Sequence, residues 1–188
     1  MDKLILASKS PRRKELMQML PWEYEIIVEE TNEIVDYSIK PSANVENIAY
    51  QKALAVADKN LNRTVIGADT VVCLNDKIIG KPKDKDDARK TLLMLSGSWH
   101  EVYTGVCIIN QQRNVLEKFY VKTKVKFSDI TETEIEEYIL TGEPLDKAGS
   151  YGIQGQGSKF IEKIEGDYYN VVGLPINALY NKLKNIVM

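Results

Sequence analysis

The sequence predicts a mixed α/β fold in one domain over residues 1–188, and three observations lead there. Short apolar runs of strand length alternate with helix-period segments along the whole chain. With 44% hydrophobic and 28% charged residues, 188 residues can bury one sizeable core, with room for two lobes. No internal repeat or low-complexity tract interrupts the alternation.

Taken in order, Leu4 to Ala7 is an apolar strand that stops at Ser8. Ser10 is a good N-cap and Pro11 suits the first helical position, so a helix runs from Pro11 to Leu20. Tyr24 to Val28 alternates as a second strand, and Asn44 to Lys59 is a strong helix. Thr64 to Leu74 is a long apolar strand, Asn75-Asp76 a tight hairpin turn, and Lys77 to Ile79 the returning strand. A helix over Asp84 to Leu95 is stopped by Ser96-Gly97. Trp99 to Ile109 and Val115 to Phe127 form two long strands joined across Gln111 to Asn114, and Thr131 with Glu134 makes a capping box for a helix to Leu140. Thr141 to Ser158, rich in glycine and polar residues, reads as a functional loop. Strands near Phe160 to Ile164 and Tyr169 to Val172 precede a last helix after Pro175.

Composition excludes several classes. A net charge of −2 and a pI near 5.6 argue against a dedicated nucleic-acid binder. No apolar run reaches the roughly 20 residues that span a bilayer, and the N-terminus lacks the order of a signal peptide, so no membrane association and a cytoplasmic location are expected. Cys73 and Cys107 sit inside apolar strands and read as buried thiols. His100, the single histidine, rules out a multi-histidine metal cage and is expected to pack or face solvent along its strand. Catalysis would then rest on carboxylates, lysines and a hard metal.

The residues that carry chemistry are charges placed where charge is costly. Ser8, Arg12 and Arg13 surround the start of the first helix and supply the donors that phosphate oxygens accept; the alternative is a solvated basic turn. Asp69 interrupts the otherwise buried strand Val65 to Val72, so it must meet a cation, a metal or a water-filled cleft, and the cleft is the reading adopted. Lys52 falls on the helical face shared by Val45, Ile48, Ala49 and Val56, which sends its ammonium either into that cleft or to the edge of the core. Lys81, in the stiff Gly80-Lys81-Pro82 corner, is either a phosphate hand or a surface lysine. Glu33 and Asp69 together offer two oxygen ligands to Mg²⁺ or Mn²⁺.

A set of motifs then stands out: Leu6-Ala7-Ser8-Lys9-Ser10-Pro11-Arg12-Arg13, Gly67-Ala68-Asp69-Thr70, Gly80-Lys81-Pro82, Leu95-Ser96-Gly97, and Glu143-Pro144-Leu145-Asp146-Lys147-Ala148-Gly149 followed by Tyr151-Gly152-Ile153-Gln154-Gly155. In this order and spacing they resemble the Maf nucleotide pyrophosphatases, specifically the dTTP/UTP branch, over essentially the whole chain. The resemblance implies an elongated mixed β-sheet flanked by helices, with two lobes around a nucleotide cleft as in the inosine triphosphatases, and a homodimer. It implies Asp69 as the catalytic acid and Ser8, Arg12, Arg13, Glu33, Lys52 and Lys81 as phosphate and metal-site residues. Arg12, Thr70 and Gln154 would set base preference, and they carry the types expected for a pyrimidine site. The implied reaction is metal-dependent hydrolysis between the α- and β-phosphates of dTTP, UTP or modified pyrimidine nucleotides, giving a monophosphate and pyrophosphate. Gln154 would meet the N3–H and carbonyl edge of uracil or thymine. The alternative is a nucleotide-binding regulator of septum formation without significant turnover.

Overall fold

The computed structural model describes residues 3–187; the outermost ends of the expected domain lie outside the described residues. The elements run β1 (Leu4–Leu6), α1 (Pro11–Met17), β2 (Tyr24–Ile26), α2 (Pro41–Ala57), β3 (Val65–Leu74), β4 (Lys77–Ile79), α3 (Lys85–Leu95), β5 (Trp99–Asn110), β6 (Val115–Phe127) and α4 (Glu132–Leu140). Three short 3₁₀ turns follow at Glu143–Asp146, Ala148–Ser150 and Gln156–Phe160, and the chain ends with β7 (Ile161–Glu165), α5 (Tyr168–Val172) and α6 (Ile176–Val187). The strands make one mixed seven-stranded sheet in the order β2-β1-β3-β5-β6-β7, with β4 paired to β3 off that path. β1 is parallel to both its neighbours, and every other pairing is antiparallel.

Local chemistry accounts for most of the boundaries. The Ser10 side chain accepts from the Arg13 backbone N–H, with Pro11 in the first helical turn. Asp84 caps α3 by accepting from Asp87 N at 2.8 Å, and Thr131 and Glu134 form a reciprocal capping box on α4. Asn75 and Asp76 both have positive φ, at 50° and 63°, as the two central residues of a tight hairpin require. Helix α2 begins at Pro41, three residues before the apolar periodicity, because proline is well suited to an N-terminal turn whose N–H groups need no helical partner.

One expected strand is a helix. Tyr169 to Val172 carries strand-like aromatic and β-branched residues, yet Tyr168–Val172 is α5. Asp167 caps it by accepting from Tyr169 N at 2.8 Å. Its buried Asn170 donates to Val102 O and Thr123 Oγ1, both at 3.0 Å, which anchors the turn on β5 and β6. Gly166 and Gly173, both at positive φ, bracket the segment where a sheet strand would have had to continue.

The long central strands carry two cores on one face. Ile66 and Ala68 of β3, with Val106 and Ile108 of β5, pack under α1 and α6 against Leu16, Leu179 and Leu183. Farther along the same strands, Val72 and Val102 join Leu92, Leu95, Ile135 and Ile139 from α3 and α4. Between these cores the same face carries a polar rung, Thr70 paired with Thr104. This rung divides the fold into two lobes, and the cleft opens beside it.

The opposite face of β3 and β5 is covered by α2, whose Ala49, Ala53, Val56 and Ala57 pack on Val65 and Cys107. The helix backbone comes unusually close. A Cβ on Gly67 would run into Ala49 O and lie 2.8 Å from Ala53 N, while a Cβ on Gly105 would strike the backbone of Val45. Gly105 lies directly across from Asp69 in the ladder. The two missing side chains therefore set how near α2 approaches the strand that bears Asp69.

Candidate active site

A cleft of about 700 Å³ opens where the end of β1, the start of α1, the middle of β3 and the 146–155 loop meet. That is within the range of roughly 300–1,000 Å³ common for small-molecule sites. Ser8, Arg12, Arg13, Glu33, Lys52, Asp69, Thr70, Lys81 and Gln154 all line it. The structure thus brings together every residue that the sequence singled out for chemistry.

Successive residues of β3 point to opposite faces, so Asp69 and Thr70 reach the cleft from the two sides of the sheet. Asp69 points toward α2, where Lys52 Nζ lies 2.8 Å from its Oδ1 and 3.1 Å from Glu33 Oε2. The Lys52 and Asp69 side chains are each 15% exposed, whereas Glu33 is 47% exposed. Asp69 consequently has both the cation and the open cleft that its strand position demanded. Lys52 resolves into the cleft rather than the edge of the core.

Thr70 points to the other face, into a chain of hydrogen bonds around Arg13. The Arg13 side chain is buried: Nε donates to Gly173 O at 2.8 Å, Nη2 to Thr70 Oγ1 at 3.0 Å, and Nη1 to Ser8 Oγ at 3.3 Å. Burial lowers the Arg13 guanidinium from its ordinary value, opposed by the charges of Asp69 and Glu33. It is a wired-in cation with few N–H groups left for a ligand, unlike the free phosphate donor a basic first turn suggests.

Proton accounting fixes the polarity of Thr70. Arg13 can only donate, and Thr104 Oγ1 spends its proton on Asn170 O at 2.9 Å. The Thr70 hydroxyl, 2.9 Å from Thr104 Oγ1 and 3.5 Å from Gly173 O, therefore has its proton directed to one of these two protein acceptors. It faces the cleft as an acceptor.

Arg12 and Lys81 remain as the more accessible cations. Arg12 Nη1 lies 3.9 Å from Asp146 Oδ2, and Lys81 stands exposed at the cleft edge beyond β4. Gln154 is exposed on the opposite wall. The loop around it contains residues whose roles sequence reasoning missed, although their motif was visible. Lys147 Nζ donates to Asp146 Oδ1 at 2.6 Å and to Glu143 O at 2.8 Å. Tyr151 lines the cleft, and its hydroxyl lies 2.8 Å from Nε2 of the buried His100. Burial pushes His100 down to about 4, so it is a neutral packing residue at neutral pH.

Glu33 and Asp69 oxygens converge on one point, now held by the Lys52 ammonium. Among the described residues, no group of three or more His, Cys, Asp or Glu is placed to hold an ion. Two hard oxygen donors beside an open cleft fit Mg²⁺ or Mn²⁺, which take one or two carboxylates and complete their shell with water and phosphate oxygens. Among the described residues, no helix is long and apolar enough to cross a membrane.

Known proteins resemble this chain in sequence and in fold. The chain is 52% identical over 184 residues to dTTP/UTP pyrophosphatases of Bacillus cereus (strain G9842) and Bacillus anthracis (strain CDC 684 / NRRL 3495), covering 98% of this chain and 95% of each relative. Its fold is similar to that of the Staphylococcus aureus Ham1 protein, with a TM-score of 0.56 at 16% identity, over 98% of this chain and 100% of that one. The family model described as Maf-like protein matches residues 3–186, and with relatives this similar the chain belongs to that family.

Proposed function

We propose that this chain is a nucleoside triphosphate pyrophosphatase that hydrolyses dTTP and UTP to the monophosphate and pyrophosphate. The observation that carries the reading is the Asp69–Lys52–Glu33 array at 2.8 and 3.1 Å, set in a cleft that also holds Ser8, Arg12, Arg13 and Lys81. It supplies a general base next to concentrated positive charge, which hydrolysis of a phosphoanhydride needs. The choice of pyrimidine triphosphates is supported by the relatives named above, at 52% identity over nearly the full chain.

In this mechanism, Arg12 and Lys81 draw the triphosphate into the cleft, and Arg13 holds Ser8 and Thr70 in place while adding fixed positive charge. Asp69 orients and deprotonates the attacking water, and the electron pair of the breaking bond passes to the departing pyrophosphate, where the lysine and arginine charges receive it. Lys52, paired with Asp69 and Glu33 here, would turn to a phosphate oxygen as substrate enters. Glu33 and Asp69 would hold a divalent cation, which would supply positive charge to the phosphates and lower the pKa of a bound water. Gln154 and Arg12 would meet the base edge, and the inward-donating Thr70 offers only a lone pair. That polarity suits an N–H donor such as N3–H of uracil or thymine, a position that in cytosine carries no hydrogen. A homodimer and a cytoplasmic location belong to the same proposal.

The test is product analysis with a panel of nucleoside triphosphates and Mg²⁺ or Mn²⁺, for the wild type and Asp69→Asn, counting pyrophosphate and orthophosphate separately. Pyrophosphate with monophosphate from UTP and dTTP is expected, with kcat reduced about 10²–10⁴-fold in the variant. Orthophosphate alone, or full activity of Asp69→Asn, would refute the assignment.

A further inference from the structure

Gln154 sits on an exposed loop, yet a base-reading amide must be held to within a fraction of an ångström to discriminate. The backbone on both sides of it is gripped by two side chains from elsewhere. The Glu143 carboxylate accepts from Gln156 N at 2.8 Å and Gly157 N at 3.2 Å, on the C-terminal side of Gln154. On the N-terminal side, Gly152 N donates to Tyr138 Oη at 3.2 Å, and Tyr138 Oη in turn donates to Glu143 Oε1 at 2.8 Å.

Glycine leaves room for the grip where it is tightest. A Cβ on Gly155 would overlap both carboxylate oxygens of Glu143, and one on Gly157 would lie 2.6 Å from Tyr138 Oη. Tyr138 is fully buried with its ring edge-on to Phe160, so its hydroxyl is a fixed post rather than a mobile partner. Burial pushes Glu143 up, but the bonds from Gln156, Tyr138 and Gly157 outweigh it and hold the carboxyl below its ordinary value. The same 143–147 turn reaches the other wall of the cleft: Lys147 ties Glu143 O to Asp146, and Asp146 faces Arg12 at 3.9 Å.

We infer that Glu143 and Tyr138 are positioning residues for nucleobase selectivity, clamping the 152–157 loop so that the Gln154 amide meets the base in one orientation. The inference rests on the reading of Gln154 as a base contact given above. It assigns selectivity to a carboxylate and a phenol that need touch no substrate.

The experiment measures kcat and KM for UTP and CTP in the wild type, Tyr138→Phe, Glu143→Gln, Gln154→Ala and the Glu143→Gln/Gln154→Ala double variant. Tyr138→Phe removes one oxygen from a packed ring, so it retains the fold if Glu143→Gln does not. Each clamp variant is expected to raise the UTP KM about tenfold with kcat within about twofold, narrowing the UTP/CTP preference. In the Gln154→Ala background, Glu143→Gln is expected to change the preference no further, because its effect passes through Gln154. Unchanged selectivity in Gln154→Ala would remove the reading of Gln154 itself. Altered selectivity there with wild-type selectivity in folded Tyr138→Phe and Glu143→Gln would overturn the clamp, as would equal, additive effects in the double variant.

Discussion

Lys52 Nζ lies 2.8 Å from Asp69 Oδ1, and this pairing across the helix–strand interface exists because Gly67 and Gly105 let α2 sit directly on the sheet. The ammonium also reaches Glu33 at 3.1 Å, so one lysine holds together two carboxylates that would otherwise repel at the floor of the cleft.

Replacing that lysine by a neutral residue of similar length exposes the repulsion. Lys52→Met is expected to lose about 2 kcal/mol of stability at neutral pH, because the largely buried Asp69 carboxylate is left uncompensated beside the Glu33 charge. A divalent cation can take the vacated place, so excess MgCl₂ against EDTA is expected to raise the Tm of the variant more than that of the wild type. Thermal unfolding under the two conditions checks both statements; an equal response in the two proteins would argue against Glu33 and Asp69 as a cation pair.

The helix–sheet contact predicts strong effects from single methyl groups. Gly67→Ala and Gly105→Ala each place a Cβ against helix backbone that cannot rotate away. A loss of about 1–3 kcal/mol or more is expected from urea unfolding, together with reduced turnover in whatever folds, since α2 must shift and carry Lys52 from Asp69. Neutral substitutions there would mean that the close approach has no bearing on the site.

His100 makes part of the stability pH-dependent. Its folded-state value, about 4, lies below the ordinary histidine value of 6.5, so the unfolded chain binds the extra proton first as pH falls. Its contribution is present in full above pH 6.5 and is lost as pH drops toward 4, by up to about 3 kcal/mol. His100→Gln retains a partner for Tyr151 without titrating. The wild type is expected to lose more stability than this variant between those pH values in parallel urea titrations, and matching slopes would contradict the assignment.

The two thiols are expected to be inert. Burial pushes Cys73 and Cys107 up to about 12, leaving almost no thiolate at pH 8. Both lie within 1% of complete burial. Iodoacetamide is expected to label neither in the native protein and both in denaturant, read by mass spectrometry.

Much of this protein was determined locally. Caps such as Ser10, Asp84 and Thr131 with Glu134, and the Asn75-Asp76 turn, act over a few residues, and each formed where the sequence placed it. The charges at Asp69 and Lys52 were legible for the same reason: each broke an apolar pattern that the neighbouring residues had already established. Only the tertiary structure decided the rest. Whether Tyr169 to Val172 would be strand or helix depended on buried bonds from Asn170 to two distant strands, which outweighed local β-propensity. Arg13 looks like a free phosphate donor until the chain returns 160 residues later and Gly173 O takes its Nε. The Glu143 clamp, the inward turn of the Thr70 proton and the seating of α2 on two glycines likewise arise from groups brought together by folding. A hydrogen bond needs its partner within about 3 Å, and no periodicity in a sequence records which distant residue will occupy that place.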